Sequence, residues 1–238
     1  PPARKTLRPR AESQKFSHVT SSLDGCQDAL VPGGDRLWVA SPQVATCDLQ
    51  PEMSAPELTD RAVEAIDSGK YDMIVMNYAN PDMVAHTGVW EAAVRAAQVV
   101  DGCLKTLVEA TLGAGGALLV TADHGNIEEM RDVQGAPQTK HTTSPVPFVL
   151  VGEQWRGARL RDGTLADVAP TICDLLGLPP PPSMTGRALP EAQPAQGALT
   201  GPLGGRAPLQ PLVSAPGRPA APLSPPALLR RPRPPRAG

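Results

Sequence analysis

The sequence predicts an α/β sandwich, a sheet covered by helices on both faces. Three observations carry this reading. Short apolar runs without polar alternation read as strands buried on both sides. Helical patterns fill the gaps between those runs. Polar clusters rich in Asp and His follow two of the runs directly, and open α/β sheets bind ligands outside the carboxyl ends of their strands.

Taken in chain order, RLWVA (36–40), DMIVMNY (72–78), GALLVTA (116–122) and PFVLVG (147–152) are the strands, each bounded by turn signals. Before the second strand, Ser54 followed by Glu57 is a capping-box signature, with Pro56 in the first turn and Gly69 past the end. Residues 90–111 repeat apolar or small side chains at Ala93, Ala97, Val100, Leu104, Leu107 and Thr111, the stripe of a helix facing a core. Residues 165–176 form a last helix, stopped by Gly177 and the prolines at 179–182.

Proline marks the domain organisation. Of 29 prolines, 12 lie in residues 1–178 and 17 in the last 60. At that density proline removes backbone donors and breaks helix and strand alike, so 190–238 reads as a disordered Pro/Ala/Gly-rich tail. Its RRPRPPR ending has the chemistry to meet an acidic or proline-reading partner, though a passive tail is the simpler expectation. Residues 1–10 read as a basic N-terminal extension, leaving 11–189 as the domain.

Composition narrows the function. Hydrophobic residues are 41% and aromatic residues 3%, so the core is mostly Val, Leu, Ala, Ile and Met. A net charge of −2 gives no reason to expect nucleic acid or an anionic membrane as partner. No apolar run approaches the ~20 residues of a membrane span. Cys26, Cys47, Cys103 and Cys173 lack paired metal spacing and read as reduced and structural, which suits the cytoplasm or an organelle matrix.

The chemistry lies in NPDMVAHTG (80–88), TADHGN (121–126) and KHTTSPVP (140–147), each beside an expected strand. Asp82 and His86 can converge on one ion from a tight turn or a helical start. Asp123 and His124, adjacent at a strand end, can turn to the same side, and His141 joins from the third segment. Singly, such pairs are often surface contacts or satisfied imidazoles; together they read as a metal centre. Mixed carboxylate and imidazole ligands suit manganese, zinc or iron better than calcium. Two such groups side by side suggest a two-metal site with ions ~3.5–4 Å apart.

SQKFSHVT (13–20), VATCDLQPEMSA (44–55), NYANPDMVAHTG (77–88), LVTADHGNIEEM (119–130), KHTTSPVPFVLV (140–151) and LADVAPTICDLLGLP (165–179) run in one order over residues 11–189. In these stretches the chain resembles the C-terminal, metal-binding part of the cofactor-independent phosphoglycerate mutases, members of the alkaline phosphatase superfamily. The resemblance implies a partial alkaline-phosphatase-like three-layer sandwich, without the family's N-terminal strands and inserted domain. It implies one metal held by Asp82, His86 and His141, and a second held in part by Asp123 and His124. Manganese is the expected ion and magnesium the alternative, with one well-formed site in this chain. Lys15 matches the lysine that steadies the phosphorylated nucleophile. Asn80, Pro81, Thr87 and Gly88 shape the metal loop.

The implied reaction interconverts 3-phosphoglycerate and 2-phosphoglycerate in glycolysis through a phosphoserine, usually in a monomer. The implied serine and a further aspartate ligand belong to the family's N-terminal part. No serine here stands in the matching context: Ser144 takes an asparagine-like position and is a poor nucleophile. SSLDGC (21–26) departs from the family's aromatic and glycine-rich stretch. The expectation is therefore a truncated or partial mutase lacking its nucleophile. The alternatives are an inactive metal-binding remnant or interaction protein, and another metal-dependent phosphatase of the superfamily.

Overall fold

In the computed structural model the described residues are Leu7–Glu12 (backbone, with the side chain of Glu12), Lys15 and 34–191. SSLDGC and the chain beyond Glu191 lie outside them. The fold is α/β with a small sheet in two parts. Strand β1 (Leu7–Glu12) lies between β2 (Leu37–Val39) and β3 (Met73–Asn77), parallel to both, with Ala11 opposite Trp38 and Asn77. Strand β4 (Leu118–Thr121) pairs antiparallel with β5 (Phe148–Val151), Leu119 facing Leu150.

The four expected strands are all present in shortened form. A further one, β1, begins inside the segment read as an extension. Its LRPRAE sequence carries Pro9 and two arginines, which argue against a central strand. The ladder with β2 and β3 overrides that local preference. The strands are also less buried than their apolar sequences suggest. No residue of β3, β4 or β5 is fully buried, because the described helices pack chiefly on one another.

Helix α1 (Ala55–Asp67) rests on β1 and β3 and on the longer helix α3 (Trp90–Gly113), and the short α2 (Asn80–Ala85) packs on α3 as well. Helix α1 starts at Ser54 with Pro56 in its first turn, but the capping box does not form. The Ser54 hydroxyl instead donates to the Ala40 carbonyl at 2.6 Å, tying the helix start to the end of β2. A reciprocal cap forms elsewhere: the Asp167 carboxylate accepts the Thr164 N–H at 2.9 Å, before helix α4 (Val168–Leu175). Gly177, at φ 65°, ends that helix, a left-handed position that favours glycine.

The buried stripe of α3 is Ala92, Ala93, Ala96, Cys103, Leu107 and Thr111. It shares Ala93, Leu107 and Thr111 with the expected stripe, whereas Ala97 is exposed. Ala92, Ala93 and Ala96 cluster with Ala79, Val84 and Ala85 at α2, and α1, which also packs on this helix, buries Ala55, Leu58, Thr59, Ala62 and Ala65. Side chains this small let two helices approach closely. Cys47, Met53, Val84 and Met130 close the core around α2 and α3. Among the described residues the largest completely buried side chains are Leu58, Glu12, Val84, Asn80 and Thr171. Cys47 and Cys103 are buried, Cys103 and Cys173 are free thiols, and Cys26 lies outside the described residues.

Candidate metal centre

Asp82 sits in the first turn of α2 and His86 caps its end, a four-residue spacing that places both on one helical face. The helix is held from below by Asn80, completely buried, whose amide donates to the carbonyls of Pro51 and Glu52 at 2.8 and 2.7 Å. The Thr87 hydroxyl closes the last turn on the Val84 carbonyl at 2.7 Å. Gly88 then takes φ +74°, where a Cβ would press on Pro137 and Thr139 at 3.3 Å. That tight passage brings the Thr139 carbonyl to 2.7 Å from His86 Nδ1. A carbonyl can only accept, so Nδ1 carries the proton and the Nε2 lone pair faces inward.

Three ligand atoms meet there. Asp82 Oδ1 lies 3.1 Å from His86 Nε2 and 3.1 Å from His141 Nε2, and the two imidazole nitrogens are 3.2 Å apart. An ion with bonds of ~2.0–2.2 Å in tetrahedral or octahedral geometry sets neighbouring ligand atoms roughly 2.8–3.6 Å apart. The observed triangle fits that span, and its two imidazoles and one carboxylate are the donors a transition-type divalent cation takes. Among the described residues it is the group with metal-holding geometry.

The second carboxylate oxygen of Asp82 pairs with Lys15 Nζ at 2.7 Å, both side chains largely buried. Burial alone raises the Asp82 pKa, but hydrogen bonds from Lys15 and Asn126 and the positive charge of Lys15 outweigh it, holding the carboxyl at about 2. The ligand is therefore anionic at any ordinary pH.

Asp123 and His124 follow β4. The His124 ring stacks on His141, centroids 3.7 Å apart and planes 15° apart, which sets it against the triangle. Asp123 is 61% exposed, and its Oδ1 lies 3.6 Å from Nε2 of His124. The structure thus gathers Lys15, Asp82, His86 and His141 into one cluster, and places Asp123 and His124 beside it as a separate pair. Ser144 is not part of this cluster; its N–H donates to Thr142 Oγ1 at 3.3 Å.

Sequence reasoning assigned no role to Asn126, Glu128 or Thr142. Asn126, 4% exposed, donates from Nδ2 to Asp82 Oδ1 at 2.7 Å. Glu128 accepts the Asn126 N–H at 2.7 Å on one oxygen and the Thr142 hydroxyl on the other. Gly125 leaves room for this: a Cβ there would overlap both Thr142 Oγ1 and Glu128 Oε1. Asn126 and Thr142 stand in two of the three histidine-bearing segments, which was the available signal. Nothing in the sequence sets Glu128 apart from Glu129.

Comparisons with known proteins identify the family. The metalloenzyme superfamily model matches residues 5–180. The 2,3-bisphosphoglycerate-independent phosphoglycerate mutase of Syntrophotalea carbinolica is 53% identical over 187 residues, 78% of this chain and 36% of that protein. The enzyme of the same name from Rhodopseudomonas palustris is 58% identical over 180 residues, 75% of this chain and 35% of that protein. The chain therefore spans about a third of the length of the curated relatives it matches. Leishmania mexicana phosphoglycerate mutase, crystallised at low cobalt concentration, superposes with a TM-score of 0.73 at 31% identity, over 79% of this chain and 38% of its own. The chain belongs to the metalloenzyme superfamily and matches the C-terminal portion of the 2,3-bisphosphoglycerate-independent phosphoglycerate mutases.

Proposed function

We propose that these residues form the metal-binding part of a phosphoglycerate mutase that interconverts 3-phosphoglycerate and 2-phosphoglycerate through a phosphoserine. The observation that supports it best is the triangle of Asp82, His86 and His141 with Lys15 paired to the same carboxylate. Asp82, His86 and His141 would hold one divalent cation, manganese before magnesium, and Asp123 with His124 would contribute to a second. When bound, such ions stabilise negative charge on a transferring phosphoryl group and lower the pKa of a hydroxyl nucleophile. Lys15 is the proposed catalytic residue, its ammonium offering donors to phosphoryl oxygens that gain charge during transfer. Asp82 orients that ammonium through the 2.7 Å pair, and the Thr139 carbonyl fixes the His86 tautomer. The reading places the phosphorylated serine in the part of the family's length that this chain does not span. Its partner is a small phosphorylated acid rather than nucleic acid, and among the described residues no helix is long and apolar enough to cross a membrane.

The test is equilibrium dialysis of the purified chain against manganese, run beside turnover of 3-phosphoglycerate coupled to enolase without bisphosphoglycerate. A single tightly bound ion, lost in His141→Ala, is the expected result. An ion bound equally well by wild type and His141→Ala would remove the proposed centre. Metal-dependent turnover would show that these 238 residues supply a nucleophile of their own.

A further inference from the structure

Glu128 touches none of the proposed ligands, yet it sits where the three segments that carry them meet. One of its oxygens accepts the backbone N–H of Asn126 at 2.7 Å, and the side chain of that asparagine reaches Asp82 Oδ1 at 2.7 Å. The other accepts the hydroxyl of Thr142, the residue after His141. Gly125, the residue after His124, bridges Thr142 directly, its carbonyl accepting the Thr142 N–H at 2.8 Å. The Ser144 N–H donates to the same Thr142 hydroxyl oxygen at 3.3 Å.

We infer that Glu128 is a positioning residue for the metal centre: its carboxylate locks the His124 and His141 segments to one another and, through Asn126, to Asp82. This rests on the reading that Asp82, His86 and His141 hold a divalent cation. The physical case is the arrangement of donors. A carboxylate accepts at both oxygens, and here each oxygen takes a donor from a different segment. No neutral side chain can accept at two ends in this way. Removing it leaves the Thr142 hydroxyl and the Asn126 N–H to find other partners, and leaves the Gly125–Thr142 backbone bond to hold two loops that carry imidazoles in mutual contact. Residues that orient metal ligands typically affect affinity by about 10- to 100-fold.

Glutamine makes a discriminating substitution. Its Oε1 can still accept from Asn126, and its Nε2 can donate to Thr142 Oγ1, because a hydroxyl serves as donor or acceptor. Glu128→Gln should therefore keep the side-chain link in altered form, whereas Glu128→Ala removes it and leaves only the Gly125–Thr142 backbone bond. Thr142→Val cuts only the His141 side, and Thr142→Ser restores the hydroxyl.

The experiment titrates the purified full chain and these variants with cobalt(II), following visible absorption and the apparent dissociation constant. Thermal unfolding of each metal-free chain runs in parallel. Glu128→Ala and Thr142→Val should weaken cobalt binding by about 10- to 100-fold and shift the absorption bands, with Glu128→Gln and Thr142→Ser closer to wild type. Wild-type affinity and spectrum in both Glu128→Ala and Thr142→Val would overturn the positioning role while leaving the metal reading intact. Weakened affinity with an unshifted spectrum, tracking only lost thermal stability, would also overturn it. Failure of the wild-type chain to bind cobalt would sink the metal reading itself, and this role with it.

Discussion

Replacing His86 or His141 by alanine separates metal binding from folding, because the two histidines contribute little to the folded chain without an ion. Their side chains are 38% and 48% exposed. His86→Ala removes the 2.7 Å bond from Nδ1 to the Thr139 carbonyl, worth about 1 kcal/mol. His141→Ala removes the stack on His124, worth about 0.5–1.5 kcal/mol. For a domain of this size 1 kcal/mol moves Tm by roughly 2–4 °C, so the metal-free variants should melt only a few degrees early. The metal term is larger. An ion present at a hundred times its Kd stabilises the native state by about 2.7 kcal/mol. That is a rise of roughly 5–11 °C in the wild type. The assay is scanning calorimetry with chelator and with manganese. Wild type should show the full rise, and both variants should show almost none. A wild-type rise retained in both would refute the assignment of these ligands.

Other consequences are equally open to measurement. Lys15→Met leaves a largely buried Asp82 carboxylate without its cation, and should cost the metal-free chain about 3 kcal/mol in denaturant unfolding; a change below 1 kcal/mol would show that the pair is solvent-screened. Gly125→Ala forces a methyl group into Thr142 and Glu128, and should lower stability by about 1–3 kcal/mol while weakening metal binding; an unaltered Kd would mean the loops can part freely. Asp167 is held below the usual carboxylate range, first by the Arg161 guanidinium and then by the backbone N–H groups of Arg187 and Thr164. A depressed folded-state pKa stabilises the chain above the ordinary Asp value of about 3.9, and that contribution is lost as pH falls through the folded value. The Tm gap between wild type and Asp167→Asn should therefore be full at neutral pH and shrink in acid; a gap that persists unchanged into strong acid would contradict the linkage.

Much of this molecule is legible in the sequence because its ligands are unusual residues in telling places. Histidines beside apolar runs stand out, and Asp82, His86 and His141 do meet in one triangle. The carboxylate that joins their loops does not stand out, since Glu128 earns its position from what the fold brings near it. Strand β1 was hidden for a similar reason: proline and arginine oppose a strand locally, and only pairing with β2 and β3 supplies the counterweight. Ser54 shows the reverse error. Its spacing to Glu57 obeys the capping rule, but the end of β2 offers the hydroxyl a nearer acceptor at Ala40. Hydrogen-bonding side chains keep several options open, and tertiary structure chooses among them.

The small, partly polar core has a consequence for how this chain responds to temperature. Among its largest completely buried side chains, Glu12, Asn80 and Thr171 are polar, and the helix faces that meet are rich in alanine. Exposing apolar surface raises the heat capacity of unfolding, whereas exposing polar surface lowers it. Unfolding should therefore show a heat-capacity increment below the usual ~12–15 cal/mol/K per residue, and a stability curve flatter than that of an oily core. A centre whose loops are set by hydrogen bonds would then keep its geometry over a wide thermal range, losing little on cooling and giving way late on heating.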